Sequence, residues 1–387
     1  MNAPIRPPSP ENASPERIFR AILATDFRAF VEYVFGLLRP GTPFKPNWHI
    51  DAMTHKVSQV AYGEIKRLII TVPPRHLKSI IASVALPAWY LGHNPSERVV
   101  CVSYSAELAK THANDFRRVV TDPTYQAVFP KMRLARETDS EIHTTLRGRR
   151  YATSIQGTLT GRGGNLFVID DPLKPADAVS EVNRERVIEW YRSTLVTRPD
   201  DKQVARIMVV MQRIDVDDLV GYLLENEPGY EVLNLPSIAQ STTTYDLGGG
   251  RIHTREKGDL LHPAHESVDV LRQIKKSMGS MLFSAQYQQS PEPAASTGLA
   301  ALCFQEVERS NLETAASCRS RCRVRTAAHT AVPSRQASPR CARLHRRTSR
   351  ASGGRHQSSR TGRCPPGYTR SDRQFARDSG ARPLARR

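Results

Sequence analysis

The sequence predicts an α/β fold with a mostly parallel sheet covered by helices on both faces. Short apolar runs rich in β-branched residues recur along the chain, at 68–72, 98–103, 166–169 and 204–211. Longer segments separate these runs, and in them apolar residues recur every three or four positions, as on the buried face of a helix. Strands that alternate with helices of this length are typical of parallel sheets with both faces buried.

The helices follow from the same periodicity. Before the first strand, the apolar residues predict one amphipathic helix over 16–38 and a second from Trp48 to about Tyr62. Between and after the later strands, helical spacing predicts further helices over 106–120, 179–197, 217–226, 267–277 and 280–289. The region 125–153 has no clear periodicity, and from Pro291 onward the periodicity disappears.

Charge divides the chain into two unequal parts. The formal net charge is +18, and the segment 301–387 alone has 20 Arg, no Lys and five acidic residues. The first 300 residues are therefore almost neutral, and the basic character belongs to the end of the chain. No run of about 18 apolar residues occurs, and the first residues lack the apolar core of a signal peptide. We therefore expect a protein with no membrane association, located in the cytoplasm.

The segment TVPPRHLKS, 71–79, has the features of a phosphate-binding loop. An apolar strand precedes it, and a helix begins at Lys78-Ser79, so backbone N–H groups, the helix dipole and the ammonium converge on one anion. The usual pattern has two glycines, and Val72 and Leu77 stand in their places. On this stretch alone, a solvated Lys78 at a helix start is an equally good interpretation.

A pair of acids ends the strand that follows about 90 residues later. In LFVIDD, 166–171, Asp170 is predicted to hold Mg²⁺ together with the Ser79 hydroxyl, and Asp171 to position or deprotonate water. A strand ending in a carboxylate places that group at the carboxyl edge of the sheet, where ligands bind in open α/β folds. The alternative is that the two acids only end the strand before Pro172.

Three further candidates surround this pair. Gln212 and Arg213 end the strand 204–211, where a polar group can sense the γ-phosphate. Arg75 is predicted to neutralise charge on the transferred phosphoryl group, the alternative being a solvent-exposed or DNA-phosphate contact. Trp48 and His49 are candidates for stacking on a purine, although a Trp at a helix start is more often part of the core.

Four segments together resemble the large subunit of phage and prophage terminases, in that family's order. They are RLIITVPPRHLKSIIASVALPAWYLG, TGRGGNLFVIDDPLKPADAVSE, VVMQRIDVDDLVGYLL and FSAQYQQSP, within residues 20–292. The resemblance implies a P-loop NTPase of the additional-strand class that uses ATP and Mg²⁺ to move double-stranded DNA into a prohead. In that family PPRHLKS is an accepted glycine-poor phosphate loop.

Site residues are carried over by matching the motifs. The resemblance implies that the phosphate loop consists of Pro74, Arg75, His76, Leu77, Lys78 and Ser79. It assigns the metal and water roles to Asp170 and Asp171, and the coupling of hydrolysis to movement to Gln212 with Arg213. The implied partners are a terminase small subunit, a portal protein and further copies of the chain in a ring, in the cytoplasm of a host bacterium.

Domain organisation follows from composition and the resemblance. We predict a disordered N-terminus, an ATPase domain, a helical and loop linker region, and an Arg/Ser-rich tail, at residues 1–16, 17–235, 236–290 and 291–387. Terminase large subunits usually carry a nuclease domain with clustered carboxylates after the ATPase domain. The tail contains no acid that ends an apolar strand, so we expect nuclease activity to be absent.

Two interpretations of the tail remain, a basic arm that grips DNA phosphates and a reading frame shifted near 291–302. Arginine without lysine favours the second, because selection for charge accepts either residue whereas GC-rich codons yield Arg. Two rival functions also remain. One is a helicase-like ATPase with the same core, and the other is a non-catalytic basic DNA-binding protein.

Overall fold

The computed structural model describes residues 14–293, and eight of the strands in this range form the central sheet. These strands are β1 (Arg67–Thr71), β2 (Arg98–Ser103), β3 (Leu134–Glu137), β4 (Glu141–Thr144), β5 (Arg149–Ser154), β6 (Leu166–Asp170), β7 (Arg206–Met211) and β8 (Glu231–Asn234). Their order across the sheet is β3-β4-β5-β2-β6-β7-β1-β8. The six strands from β5 to β8 in this order are parallel, and β4 and β3 are antiparallel additions at one edge.

Strand β7 lies between β1 and β6, although it follows both in the chain. Thr71 of β1 is in register with Met211 of β7, and Asp170 of β6 is in register with Val210. The carboxyl ends of three adjacent strands therefore meet at one point on the sheet edge. The inserted strand and the mostly parallel order confirm the predicted fold class.

Ten α-helices surround the sheets in the described part of the chain. They are α1 (Pro15–Thr25), α2 (Phe27–Leu38), α3 (Trp48–Tyr62), α4 (Leu86–His93), α5 (Ala106–Thr121), α6 (Pro123–Val128), α7 (Glu181–Ser193), α8 (Leu219–Asn226), α9 (Val268–Met278) and α10 (Ser280–Gln286). A π-helical turn, Ile80–Ala85, leads directly into α4, and a 3₁₀ turn, Leu195–Thr197, follows α7.

The single helix expected over 16–38 is two helices, α1 and α2. The chain breaks at Asp26, whose carboxylate accepts hydrogen bonds from the backbone N–H groups of Arg28 and Ala29. An Asp at this position satisfies two donors that the first turn of a helix leaves free. The periodicity of apolar residues continues through the break, which is why the pattern alone does not reveal it.

Two regions contain strands that periodicity did not predict. The segment 125–153, which has no clear pattern, contains β3, β4 and most of β5. The expected helical and loop region 236–290 includes a hairpin of β9 (Thr243–Gly248) and β10 (Arg251–Arg255). The hairpin packs on α3, with the rings of Tyr245 and Trp48 4.8 Å apart. The predicted tail, 291–387, lies outside the described residues except for 291–293.

The core lies on both faces of the central strands. Strands β6 and β7 are buried along almost their whole length, as expected for parallel strands covered on both sides. On one face they pack with α2, α3 and α4, and on the other with α7 and α8. Within residues 14–293, no helix has the length and apolar character needed to cross a membrane.

The depth of the central strands can be tested by truncating one side chain. Phe167, in the middle of β6, is fully buried. We expect Phe167→Ala to lower the free energy of unfolding by about 3–5 kcal/mol, because it removes apolar contacts and leaves a cavity. The measurement is urea denaturation.

Val232→Ala is the matched control, because Val232 lies on the edge strand β8 and is 43% exposed. We expect it to cost less than about 1 kcal/mol. Equal costs for the two variants would contradict the burial described for β6.

Candidate active site

The candidate site is built where β1, β6 and β7 end side by side. The loop after β1 carries Lys78 and Ser79, β6 ends in Asp170 with Asp171 after it, and Gln212 follows β7. Since these three strands are parallel neighbours, their carboxyl ends bring all five side chains to the same edge of the sheet.

Lys78 is the centre of the cluster. Its ammonium donates a hydrogen bond to Gln212 Oε1 at 3.1 Å, and its Nζ lies 3.1 Å from Asp171 Oδ2. Only 7% of the side chain is exposed. A buried charge is tolerated when it is paired and hydrogen-bonded, so this ammonium depends on partners from two other strands. The interpretation of Lys78 as a solvated surface residue is wrong.

Asp170 lies behind Lys78 and is completely buried. Its Oδ1 accepts a hydrogen bond from Ser79 Oγ at 3.1 Å, and its Oδ2 accepts one from Ser83 Oγ at 2.7 Å. Burial raises the pKa of Asp170, while the Ser83 hydrogen bond and the nearby Lys78 charge oppose that rise.

The Ser79 and Asp170 oxygens are adjacent hard donors, which is the chemistry that Mg²⁺ prefers. Phosphate and water oxygens would complete such a site, so the protein needs to supply only these two ligands. Within 14–293 there is no group of three or more His, Cys, Asp or Glu side chains arranged to hold a metal ion. The pair of Ser79 and Asp170 provides one hydroxyl and one carboxylate, so it is not a group of that kind.

Asp171 is held in an unusual backbone conformation, with φ of +45°. Its backbone N–H donates to Val210 O, and its carboxylate Oδ1 lies 3.4 Å from the backbone N of Gln212. Burial raises the pKa of the Asp171 carboxyl, opposed by Lys78, and the neighbouring Asp170 raises it further. About a fifth of the side chain remains exposed.

The loop itself is strained at two positions. Arg75 and Leu77 have φ of +67° and +64°, in the left-handed region that favours glycine. Leu77 is one of the two positions where the usual pattern has glycine. The backbone at Leu77 therefore adopts a conformation that favours glycine, at a steric cost, and such strain is concentrated at functional sites.

A pocket of about 520 Å³ adjoins the loop. Loop residues from Arg75 to Ile80 form one side of it, and α2, the segment after it and α3 form the other. The lining on that other side includes Phe35, Arg39, Phe44, Lys45, His49 and Ile50. Arg75 is exposed at this pocket, and Pro74 accepts a hydrogen bond from His76 Nδ1 through its carbonyl oxygen.

Trp48 does not line this pocket. Its ring stacks on His253, with centroids 4.4 Å apart and planes at 20°, and the Arg255 guanidinium lies 5.5 Å from its centroid. Side chains of the hairpin β9-β10 thus already contact the Trp48 ring. His49 does line the pocket, and the stacking of a purine on Trp48 stays a prediction.

Four histidines form a cluster beside the loop that sequence analysis did not predict. The rings of His49, His76, His262 and His265 have neighbouring centroids 5.2–6.4 Å apart. Burial lowers the pKa of His76 and of His262 to about 4 and that of His49 well below its usual value. These rings are therefore neutral near pH 7. The motif HPAH, 262–265, was visible in the sequence, but nothing in it indicated contact with the loop.

A second layer of residues supports Asp170 through Ser83. Ser83 lies in the π-helical turn, and its carbonyl oxygen accepts a hydrogen bond from Arg150 Nη2 at 2.9 Å. Arg150 is fully buried, and its guanidinium lies over the ring of Phe116. π-Helical turns often occur at functional sites, and this turn places Ser83 against the carboxylate. Sequence analysis did not predict a role for Ser83.

Arg213 points away from the cluster. Its guanidinium binds both oxygens of Asp218, at 3.0 and 2.9 Å, and Asp218 caps the N-terminus of α8. The two residues of the predicted coupling pair thus have different surroundings. Gln212 contacts Lys78, while the Arg213 side chain stabilises the turn before α8.

No protein-family model and no curated protein matches this chain. Among solved structures, similarity is found to the HK97 bacteriophage large terminase, at 13% identity and TM-score 0.44, covering 70% of this chain and 55% of that one. The Thermus phage P74-26 large terminase ATPase domain matches at 12% identity and TM-score 0.40, covering 65% of this chain and 95% of that one.

A third similar structure is the large terminase of a thermophilic bacteriophage in complex with ADP, at 9% identity and TM-score 0.36. That match covers 68% of this chain and 52% of the other. The chain thus spans about half the length of the HK97 large terminase and of this third structure. All three structures are large terminases, the family that the sequence motifs resemble.

The loop strain can be measured at Arg75, which is exposed. We compare Arg75→Gly with Arg75→Ala, because both remove the guanidinium and differ only in their tolerance of positive φ. We expect the glycine variant to be more stable by about 1 kcal/mol in urea denaturation. An alanine variant of equal or greater stability would show that the loop is not strained at this residue.

The histidine cluster predicts a pH dependence of stability. The folded-state pKa of His76 is about 4, against an ordinary value of 6.5, so between these pH values the unfolded chain binds a proton that the folded chain does not. The free energy of unfolding should therefore fall as pH drops from 6.5 to 4, by about 3 kcal/mol for this residue.

Urea denaturation of the unaltered chain and of His76→Gln across this pH range measures the effect. The difference between the two curves cancels the contributions of groups that both proteins share. We expect the His76→Gln variant to lose less stability on acidification. Parallel curves would show that the pKa of His76 is the same in the folded and the unfolded chain.

Proposed function

We propose that this chain hydrolyses ATP at the cluster of Lys78, Ser79, Asp170, Asp171 and Gln212. The observation that carries the proposal is the convergence of a buried ammonium, a hydroxyl, two carboxylates and an amide at the ends of three adjacent strands. Each group has a separate use in phosphoryl transfer, where catalysis consists mainly of positioning and charge stabilisation.

The phosphates are assigned to the loop from Pro74 to Ser79. In this proposal Lys78 exchanges its contacts with Asp171 and Gln212 for the β- and γ-phosphate oxygens, while the loop N–H groups face the same anions. Ser79 and Asp170 would hold Mg²⁺, which when bound neutralises charge that develops on the phosphates. Arg75, exposed at the pocket, contributes a further positive charge.

Asp171 is assigned the role of general base. Because burial raises the pKa of its carboxyl, Asp171 is a better proton acceptor than an exposed aspartate. It takes a proton from the attacking water while the bond from the γ-phosphorus to the bridging oxygen breaks. Gln212, 3.1 Å from Lys78 Nζ, is placed to detect the γ-phosphate.

The nucleoside is assigned to the pocket beside the loop. Its volume, about 520 Å³, lies within the usual range for small-molecule sites. The rings of Phe35 and Phe44 provide apolar surface for a base, and His49 provides a polar edge. Of the two predicted purine contacts, His49 lines this pocket and Trp48 does not.

At a finer level, we propose that the ATPase is the motor subunit of a viral terminase. The support is the order and spacing of the four motifs that resemble this family, three of which supply the clustered residues. In this proposal hydrolysis drives double-stranded DNA into a prohead. The partners are a terminase small subunit, a portal protein and other copies of this chain in a ring, in the cytoplasm of the host bacterium.

We further propose that this polypeptide lacks the nuclease of its family. The support is compositional, since 301–387 has only five acidic residues, none at the end of an apolar run. Two-metal hydrolysis needs several carboxylates converging on cations about 4 Å apart. We expect no cleavage of plasmid DNA with Mg²⁺ or Mn²⁺, assayed on gels. Metal-dependent cleavage that co-purifies with the chain would contradict this proposal.

ATP turnover tests the site directly. We expect Asp171→Asn to lower kcat by a factor of about 10² to 10⁴, because the amide preserves shape but cannot accept the proton. Lys78→Ala should abolish measurable turnover, since it removes the charge that binds the phosphates. Phosphate release by the purified chain, with Mg²⁺ and a range of ATP concentrations, measures both effects.

Lys202→Ala is the matched control, because Lys202 lies on an exposed turn far from the loop in sequence. It should retain the turnover of the unaltered chain. Equal turnover in the Lys78→Ala and Lys202→Ala variants would refute the assignment of the phosphate site.

A further inference from the structure

Gln289 lies against the strand end that carries Gln212. Its Oε1 accepts a hydrogen bond at 2.9 Å from the backbone N–H of Arg213, the residue directly after Gln212. Arg213 is two residues beyond the end of β7, so its N–H is satisfied by this side chain rather than by a neighbouring strand. Asp171 Oδ1 faces the preceding N–H, that of Gln212, at 3.4 Å.

Two features show that the fold holds the Gln289 side chain in this contact. Gln289 is only 4% exposed, and its φ of +54° lies in the left-handed region, which a residue with a side chain rarely adopts. Its amide nitrogen donates to the carbonyl oxygen of Gln286, the last residue of α10. One side chain therefore satisfies a donor at the end of β7 and an acceptor at the end of α10. Backbone strain of this kind persists where the surroundings hold the residue in place.

We propose that Gln289 is a positioning residue that sets the place of Gln212 and ties the nucleotide site to α9 and α10. The Gln212 amide reaches Lys78 from a backbone held on one side by Asp171 and, one residue later, by Gln289. Because Gln212 faces the γ-phosphate only if ATP binds as proposed above, this inference rests on that function. A change in the position of Gln212 on nucleotide binding would affect the position of α10. Because coupling is reciprocal, a change in α10 would also affect Gln212.

The neighbouring residue provides a matched comparison. Gln288 also makes two side-chain hydrogen bonds, to the backbone N–H and carbonyl oxygen of Ile238, at 3.0 and 3.1 Å. It anchors the same segment of chain to the body of the protein without contacting the end of β7. Gln288→Ala therefore loosens the segment and leaves the support of Gln212 in place.

Steady-state ATP hydrolysis by the full chain tests the proposal with three variants, Gln289→Ala, Gln289→Gly and Gln288→Ala. Glycine removes the amide but tolerates positive φ, so Gln289→Gly separates lost positioning from backbone strain. We expect both Gln289 variants to lower kcat roughly ten-fold, the order of one lost hydrogen bond, with little change in KM for ATP. Gln288→Ala should lower the Tm and keep kcat within about two-fold of the unaltered chain.

Two results would overturn the inference alone. Full kcat in Gln289→Gly, with only the Tm lowered in Gln289→Ala, would make Gln289 an anchor without a positioning role. An equal loss of kcat in Gln288→Ala would show that the effect comes from loosening the segment. Absence of ATP turnover in the unaltered chain would overturn the proposed function, and this inference with it.

Discussion

The buried ammonium of Lys78 is the constraint on which the rest of the site depends. A charge at this depth needs partners, and those partners follow β7, the strand next to β1, and β6, the strand beyond it. The insertion of β7 between β1 and β6 brings Gln212 within reach. In this strand order, Asp171 and Gln212 both contact the ammonium. The sheet topology therefore supplies the partners that the buried charge requires.

Much of the site could be predicted from the sequence because strand ends are local features. An apolar run that stops at Asp170, or at Gln212, identifies both the strand and the polar group at its end. The replacement of a glycine by Leu77 was also visible in the sequence. The left-handed backbone of Leu77 was not visible, because no local pattern shows that the loop keeps its shape at a steric cost.

The parts that escaped prediction are contacts between residues distant in the chain. His262 and His265 meet His76 across almost 190 residues, and Gln289 meets Arg213 across 76. No period or motif records such pairs, because they depend on how the C-terminal helices return to the sheet. The break at Asp26 and the hairpin β9-β10 were missed for other reasons. A continuous apolar pattern hid the first, and the second is short and half exposed.

The most direct test of the central claim is a crystal structure of the chain with Mg²⁺ and a non-hydrolysable ATP analogue. We expect Lys78 Nζ to leave Asp171 for the β- and γ-phosphate oxygens. We also expect the cation to lie at Ser79 Oγ and Asp170, with the Gln212 amide facing the γ-phosphate. An analogue bound elsewhere, or a Lys78–Asp171 ion pair that stays closed with nucleotide present, would contradict it.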